Sequence, residues 1–428
     1  MMNTPHALRW LQKDVCDTSL RAISLLTLIV VSTCILAQSD ATWRIKGFVD
    51  TYHALKTESP NDMMSSRTRV RGEVERTFGG SSLFVSFNAI YNALIKKRTG
   101  FELREAYLDY REEHWGLRLG RQLVIWGAAD GLRITDLVSP MDMSEFLAQD
   151  YDDIRMPVNA LRFLTFNEKM KLELVVVPTF QGYVLPTEEH NPWYILSKNA
   201  GHPFVWNDGQ SKPAFRLSNM EYGGRLSFAL PGIDFSVAGL HTWNKMPVLM
   251  YVPSATEINV SPRYYRMGFI GGDVSKPLGQ FVFRGEAAYN IGKHFSYLPQ
   301  LSAVPQKGFN TLNWLVGADW YAPHEWMLTV QFSNESIFGY EKQVSQPCHS
   351  SLLTFNMSKK LLGSTLQLSD FTYFDLNHKG WFSRFSADYM LNDHIRLIAG
   401  YDWFGGKEGM FGLYKRNSEL WIKAKYSF

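Results

Sequence analysis

The chain has 428 residues, with 44 basic and 41 acidic residues, a formal net charge of +3 and an aromatic content of 14%. This near-neutral balance gives no indication of a nucleic-acid partner, and no apolar run beyond the N-terminal region is long enough for a membrane-spanning helix. Only Cys348 lies beyond residue 41, so the sequence excludes an internal disulfide framework.

The N-terminal region has the pattern of a cleaved secretory signal. Arg21 precedes an apolar run at 22–36, and small or polar residues follow at 37–41. The run has about 15 residues, fewer than the roughly 20 that span a bilayer. We therefore predict a signal peptide at 1–41.

The residues around the end of this run set the cleavage site. Small side chains favour cleavage after Ala37 or Ala41, which leaves a mature chain at 42–428. Cys34 offers a lipoprotein alternative, but Thr33 is a poor residue immediately before a lipoprotein cysteine, and apolar residues follow. Cleavage as an ordinary signal peptide is the favoured interpretation.

The mature chain shows the period-two alternation of β-strands and almost no amphipathic helix. Short turn signals such as Gly79-Gly80, Pro231-Gly232 and Lys276-Pro277 alternate with longer connections. The predicted strands are 43–55, 67–78, 83–94, 101–111, 116–125, 157–166, 170–177, 219–230, 233–243, 263–275, 278–291, 310–321, 325–337, 351–361, 364–376, 380–391, 394–404 and 416–428.

Alternating short turns and long connections are typical of transmembrane β-barrels. We therefore predict an all-β, antiparallel, up-and-down transmembrane barrel of about 18 strands, with 16 as the alternative and both termini periplasmic. Side-chain alternation assigns the faces. In the strand at 278–291, Phe281, Phe283 and Tyr289 share one side, and Arg284 and Glu286 share the other. Lipid accepts only the first set, so the second set faces a water-filled lumen.

The C-terminal strand has the same two faces. Its apolar side ends with Tyr426 and Phe428, and its polar side carries Glu419, Lys423 and Lys425. This pattern resembles the closing strand of bacterial outer-membrane barrels, in which the assembly machinery reads a terminal aromatic residue and the aromatic residue two positions before it. The resemblance implies that Tyr426 and Phe428 form an assembly signal.

The predicted strand at 67–78 carries three arginines, Arg67, Arg69 and Arg71, on one face. Alternate residues of a strand lie roughly 6.5 to 7 Å apart, so these side chains form a basic ladder. On a lumen wall the ladder would attract anions or oppose an acidic element. The alternative, slightly favoured for any single arginine, is pairing with acids on neighbouring strands such as Glu105 and Asp109.

The segment at 126–156 is the strongest functional signal and is called the acidic segment below. It has seven acidic and two basic residues, a net charge of −5, and it also has a high apolar content. Ile134, Leu137, Val138 and Met141 occur at helical spacing. Because a loop in water gains nothing from apolar side chains, we predict that the segment folds inward as a constriction loop. A lid over the extracellular mouth is the alternative.

Several motifs between 116 and 186 resemble a porin-like family of Gram-negative outer-membrane proteins described mostly as a domain of unknown function. The residues that carry the resemblance are Gly120-Arg121-Gln122, Trp126-Gly127, Asp136, Pro140, Asp142, Asp153, Arg155, Pro157 and Arg162, followed by Val176, Val177, Pro178, Phe180 and Pro186. The resemblance implies an outer-membrane barrel. It also implies an export role beside an inner-membrane exporter or a periplasmic carrier, because some family members are proposed to work with exporters of hydrophobic molecules.

These observations predict a channel of the bacterial outer membrane that passes small or amphipathic solutes. The expected partners are outer-membrane lipid, the barrel assembly machinery and further copies of the chain, and no cofactor or metal is expected. The predicted pore-lining and constriction residues are Arg67, Arg69, Arg71, Glu105, Asp109, Arg121, Asp130, Arg133, Asp136, Asp142, Glu145, Asp150, Asp152, Asp153 and Arg155.

Two other functional classes are weaker alternatives. For an outer-membrane enzyme, the nearest acid and histidine pairs are Asp393 with His394 and Asp375 with His378, and neither has a spacing that specifies a catalytic site. A structural anchor or adhesin would more naturally carry long variable external loops, without an apolar and acidic loop of this kind. The sequence therefore favours a channel without enzymatic activity.

Overall fold

The computed structural model describes residues 43–194, 203–207, 212–298 and 305–428. The predicted signal peptide at 1–41 lies outside the described residues. Among the described residues, no helix is both long enough and apolar enough to cross a membrane.

Eighteen antiparallel strands form one closed sheet, which confirms the predicted barrel and excludes the alternative of 16 strands. The barrel strands are Trp43–Lys56 (β1), Met63–Phe78 (β2), Ser81–Asn92 (β3), Gly100–Arg111 (β4), Trp115–Gln122 (β5), Val158–Phe166 (β6), Met170–Val177 (β7), Glu221–Leu230 (β9), Ile233–Trp243 (β10), Arg266–Leu278 (β13), Phe281–Ser296 (β14), Gln306–Ala322 (β15), Trp326–Ile337 (β16), His349–Leu361 (β17), Leu366–Asp375 (β18), Gly380–Met390 (β19), Ile395–Gly405 (β20) and Glu419–Ser427 (β21).

The remaining elements lie in the connections between barrel strands. A small sheet joins Phe204–Trp206 (β8), Val248–Pro253 (β11) and Ile258–Arg263 (β12). The short helices are Tyr151–Ile154 (α1) and Gly409–Leu413 (α2), with 3-10 turns at Lys96–Arg98, Leu217–Asn219 and Lys415–Asn417. The sequence predicted neither the small sheet nor these short helices.

Pairing of the first and last strands closes the barrel. In this seam β1 pairs with β21, with Val49 opposite Tyr426. The backbones of Gly47 and Phe428 exchange two hydrogen bonds of 2.9 and 3.0 Å. The Phe428 ring lies over Gly47, because a Cβ atom on Gly47 would stand 2.8 Å from the ring Cζ. The ring thus covers the place where Gly47 has no side chain.

The two ends of the barrel differ in the length of their connections. Turns of a few residues join alternate strands at one end, and both chain ends of the barrel lie at that end, since β1 begins and β21 ends there. One predicted turn is wrong. Lys276 and Pro277 belong to β13, and the turn is formed by Gly279 and Gln280 between the paired residues Leu278 and Phe281. Gly279 has a φ of 59°, which favours glycine at this position.

Side-chain exposure confirms the predicted faces. On β14, Phe281, Phe283 and Tyr289 are exposed on the outside, whereas Glu286 and Asn290 are buried on the inside. Exposed aromatic side chains flank the outer apolar band at both ends, as expected for a barrel in lipid. They include Trp43, Trp115, Trp320 and Trp326 near the short turns and Tyr91, Phe101, Tyr222 and Trp403 near the long connections.

The first prediction concerns the seam. Phe428→Ala uncovers Gly47 and removes the ring pair with Tyr426, which is worth about 1 kcal/mol, so a smaller fraction of the chain should fold into the barrel. Folded barrels change their gel migration on boiling, and comparing unboiled with boiled samples measures that fraction. Ser427→Ala is the neighbouring control and should fold like the unaltered protein. Equal folded fractions for the two variants would contradict a role of the Phe428 ring in closure.

Candidate functional site

Asp153 of the acidic segment bridges two arginines of the predicted basic ladder. Its carboxylate lies 2.9 Å from Arg69 Nη1 and 2.9 Å from Arg71 Nη2. Arg69 also binds Asp50 of β1 at 2.6 Å, and Arg71 donates to Asn88 of β3 at 2.8 Å. Burial alone would raise the pKa of Asp153, but Arg69 and Arg71 outweigh burial and hold this pKa well below its ordinary value. The acid therefore ties the segment to β2 as a carboxylate.

Two further acids of the segment contact the wall near the seam. Asp150 accepts a hydrogen bond from Lys423 Nζ of β21 at 2.5 Å. Glu145 lies 3.9 Å from Arg67 Nη1 and accepts a hydrogen bond from the Ser65 hydroxyl at 3.2 Å. All three arginines of the ladder thus face acids of the segment.

Glu286 of β14 attaches the other side of the segment. Its carboxylate accepts the backbone N–H groups of Ala128 and Ala129 at 2.6 and 2.7 Å. It also accepts the backbone N–H and the hydroxyl of Thr135 at 3.2 and 3.0 Å. Gln331 of β16 adds two hydrogen bonds to the backbone of Asp130, at 3.2 and 2.8 Å. Sequence reasoning placed Glu286 on the lumen side but did not predict its partners.

These attachments lie on opposite walls of the barrel. In the ring of barrel strands, eight strands separate β2 from β14 in either direction. The acidic segment contacts Arg69 on the first of these strands and Glu286 on the second.

Asp136 is the centre of the segment's own polar core. It is buried and accepts a hydrogen bond from Arg155 Nε at 3.1 Å, and Arg133 Nε lies 3.3 Å from the same carboxylate oxygen. The Trp126 backbone N–H donates to its other oxygen at 3.3 Å. Arg133 also donates to the Tyr183 hydroxyl at 3.1 Å. These predicted site residues hold the segment in shape.

The other motif residues form a second buried network beside this core. The Trp126 indole N–H donates to Glu173 of β7 at 2.9 Å, and Arg162 of β6 pairs with the same carboxylate at 2.8 Å. Gln122 is fully buried and donates to the backbone carbonyl of Ala160 at 2.9 Å. Trp126 thus ties the start of the segment to β7, while Arg162 and Gln122 join the neighbouring wall strands β5, β6 and β7.

Apolar side chains of the segment are buried against the inner wall. Ile134 and Val138 pack in one cluster with Leu240, Phe269 and Leu315, which belong to β10, β13 and β15. The helical spacing of the apolar residues at 134–141 does not correspond to a helix, since the only α-helical turn of the described segment is α1. Contact with the wall, and not amphipathic helix formation, explains the apolar content.

A second apolar cluster surrounds Phe146. Its ring centre lies 4.6 Å from that of Tyr414 and about 6 Å from those of Trp193, Phe404 and Phe411. Phe146 has a φ of 50°, a backbone conformation that costs a non-glycine residue about 1 kcal/mol or more. Burial of the ring among four aromatic side chains offsets this cost.

The connection after β7 supports the segment from the side. The Val184 carbonyl accepts the Met143 backbone N–H at 2.7 Å, and the Val184 backbone N–H donates to the Met141 carbonyl at 3.0 Å. Farther along the connection, Asn191 donates to the Ser144 carbonyl at 2.7 Å. Sequence reasoning missed this contribution, because all three bonds use backbone groups of the segment, which leave no pattern in its side chains.

Three predicted site residues lie away from these contacts. Asp109 pairs with Arg118 directly opposite on β5 at 2.9 Å, and Glu105 accepts the Leu123 backbone N–H at 2.9 Å. The alternative that the ladder pairs with acids on neighbouring strands holds for Asp50 of β1, which binds Arg69, but it is wrong for Glu105 and Asp109, because β3 lies between β4 and β2. Arg121 lies two residues after Leu119 on β5 and therefore faces the outside of the barrel, where Leu119 is 57% exposed. The Arg121 side chain donates to the Leu103 carbonyl at 3.1 Å.

The remaining predicted residues fall at the edge of the segment. Asp142 pairs with Arg98 in the connection after β3, and Asp130 lies 3.7 Å from Arg284 of β14. The side chain of Asp152 lies outside the described part of the structure. Sequence reasoning therefore named all seven acids of the segment, whereas their partners follow only from the closed barrel.

A second prediction tests the Glu286 attachment. Glu286→Ala leaves four donors of the segment without their acceptor, at a cost of about 1–3 kcal/mol for each group that stays buried. The amides of Ala128, Ala129 and Thr135 should therefore exchange with deuterium at least about tenfold faster. Glu168→Ala, in an exposed turn, is the control. Unchanged exchange at all three amides would contradict this attachment.

A third prediction concerns pH. Because the pKa of Asp153 is lowered, the stability that its ion pairs contribute is fully present above the ordinary pKa of an aspartate and is lost progressively as the pH falls from that value toward the lowered pKa, so most of it is still present at pH 4. The detergent-folded protein should resist pepsin within the acidic segment at pH 4. Asp153→Asn removes a charged bond worth about 1.5 kcal/mol and should be cleaved there about tenfold faster. Asp393→Asn, in a short turn, should behave as the unaltered protein. Equal cleavage of all three proteins would contradict a role of the Asp153 ion pairs in holding the segment to β2.

Solved structures with similar folds were found by comparison. OccAB1 of Acinetobacter baumannii has a TM-score of 0.53 at 10% identity, with 90% of this chain and 96% of that chain covered. OccAB3 of the same organism has a TM-score of 0.51 at 10% identity, with 90% and 99% covered. The outer membrane channel DcaP of A. baumannii has a TM-score of 0.45 at 10% identity, with 90% and 97% covered.

At these identities the likeness shows the fold alone, a porin-like barrel. Large antiparallel barrels with an apolar outer band are characteristic of the bacterial outer membrane, where this protein is located. No curated protein matches the sequence. The profile of a family described as "Protein of unknown function (DUF1302)" matches residues 38–391, and the chain belongs to that family.

Proposed function

We propose that the protein is a porin-like channel in which the acidic segment narrows the lumen. The observation that carries this proposal is the attachment of the segment to opposite walls, at Arg69 and Arg71 of β2 and at Glu286 of β14. A segment held at both walls must cross the space between them. An extracellular lid would need no carboxylate buried on β14 to bind its backbone.

The charges at the segment support selective passage of small or amphipathic solutes. Asp153 and Glu145 face arginines of the wall, so charges of opposite sign stand close together. Such a cleft orients polar solutes and holds back ions that pass through it. Leu132 and Leu147 of the same segment are only partly buried and supply contacts for the less polar part of a solute.

The orientation of the barrel is part of the proposal. Outer-membrane barrels place their short turns in the periplasm, so we place both ends of the barrel chain there. Cleavage of residues 1–41, assembly into an oligomer, partnership with an inner-membrane exporter and an assembly role for Tyr426 and Phe428 stay predictions.

The local geometry of the nearest acid and histidine pair weighs against an enzyme. His378 Nδ1 lies 2.8 Å from Asp375 Oδ2. The other oxygen of Asp375 accepts the backbone N–H groups of Asn377 and His378 at 2.9 and 3.1 Å. This arrangement is that of a turn in which an aspartate binds the following backbone, which favours a structural role for the pair.

A fourth prediction tests the constriction. Replacement of 131–151 by a short Gly/Ser linker should raise single-channel conductance at least about twofold and weaken solute discrimination, because the narrowest part of the path is removed. Recording in planar bilayers measures both properties. Shortening the external hairpin formed by β11 and β12 is the control and should leave both unchanged.

The result depends on a folded barrel, which boiled and unboiled gel samples establish. If the folded linker variant conducts and discriminates like the unaltered protein, the segment does not line the permeation path. A role as an extracellular lid or a partner-binding element would then be the better explanation.

A further inference from the structure

A cavity of about 360 Å³ lies between the acidic segment and the barrel wall formed by β18 and β19. The segment contributes Leu147, Asp150 and Ile154, and the wall contributes Phe371, Phe382 and Arg384. The attachments that hold the segment to β2 and β14 do not use these wall strands.

One side of the cavity is aromatic. The ring centres of Phe371 and Tyr373 are 4.8 Å apart, and those of Tyr373 and Phe382 are 6.1 Å apart. Tyr373 is fixed by its hydroxyl, which donates to the Gly131 carbonyl of the segment at 2.8 Å. These rings form a continuous apolar strip, suited to a planar or alkyl group of a solute.

In two ion pairs at the cavity, the acidic side chain is more exposed to solvent than its basic partner. The Asp150 side chain is 49% exposed, whereas its partner Lys423 is only 7% exposed. The Asp130 side chain is 38% exposed, and its partner Arg284 is 22% exposed. In both pairs the carboxylate stands nearer to the cavity and the cation stands farther inside the protein.

In the described part of the structure, Arg384 is the one basic residue that lines the cavity, and its guanidinium already has binding partners. Its Nη1 binds Asp402 at 2.5 Å, and its guanidinium lies over the Trp421 ring at 4.2 Å. An anion entering the cavity would meet two exposed carboxylates and the electron-rich faces of aromatic rings. A cation would be attracted by both.

We propose that this cavity binds an organic cation with an apolar body, such as an aromatic or alkyl ammonium compound. The apolar body lies on the strip of Phe371, Tyr373 and Phe382, and the ammonium group faces Asp130 and Asp150. The inference rests on the proposed function, since it names the class of solute that the constricted channel selects.

Three matched probes test the inference: 2-phenylethylammonium, 3-phenylpropionate and 2-phenylethanol. Saturation-transfer NMR with the detergent-folded protein measures binding without requiring conduction. The ammonium probe should bind about five times more tightly than the alcohol, and the carboxylate probe should bind more weakly than both.

Variants separate the two parts of the site. Asp150→Asn should weaken binding of the ammonium probe about threefold to tenfold and leave the alcohol unchanged. Asp130→Asn is the second variant, because its looser pair at 3.7 Å makes loss of folding less of a concern than at Asp150. Phe371→Leu should weaken the ammonium and alcohol probes alike, and Asp393→Asn is the control that changes neither.

The inference is supported if the unaltered protein prefers the ammonium probe and this preference decreases in both aspartate variants. Equal binding of the ammonium and alcohol probes, preference for the carboxylate probe, or no binding of any probe overturns it. Bilayer recording keeps the two proposals apart. A conducting channel without cation preference overturns only this inference, whereas cation binding without conduction overturns only the channel.

Discussion

Every backbone N–H and C=O group of a segment in lipid needs a partner within the protein, and this constraint governs the whole structure. The eighteen strands meet it by closing on themselves through the pairing of β1 with β21. Closure fixes the two faces of every strand, since alternate side chains must point to lipid or to the interior. Charged side chains of the wall therefore point into the interior of the barrel.

A gathering of charge inside a barrel is stable only when each charge finds an opposite charge or hydrogen-bond partners. The acidic segment and the wall meet this need for each other. Asp153 and Asp50 together balance the charges of Arg69 and Arg71, while Glu286 accepts backbone N–H groups that the irregular segment cannot bond within itself. The segment's shape thus depends on the barrel, and the barrel's inner charge balance depends on the segment.

Strand positions and faces could be predicted because each strand carries its own period-two pattern. The turn at Gly279 was placed at Lys276-Pro277 instead, because two turn signals lie within a few residues of each other. Partners across the lumen could not be predicted, since they depend on how the ring closes. The segment's acids were recognised by composition, but Glu105 and Asp109 were the wrong partners for the ladder. Glu286 carried no signal beyond an inward position, and the spacing at 134–141 reflected burial against the wall.

The ion pairs of the segment straddle the seam of the barrel. Lys423 on the last strand contacts Asp150 of the segment at 2.5 Å and Asp50 of the first strand at 3.5 Å, and Arg69 joins Asp50 to Asp153. Lys423 takes its place only when the last strand pairs with the first. The segment therefore gains its full set of ion pairs only when the ring is closed, and a chain whose first and last strands are unpaired holds the segment by fewer bonds.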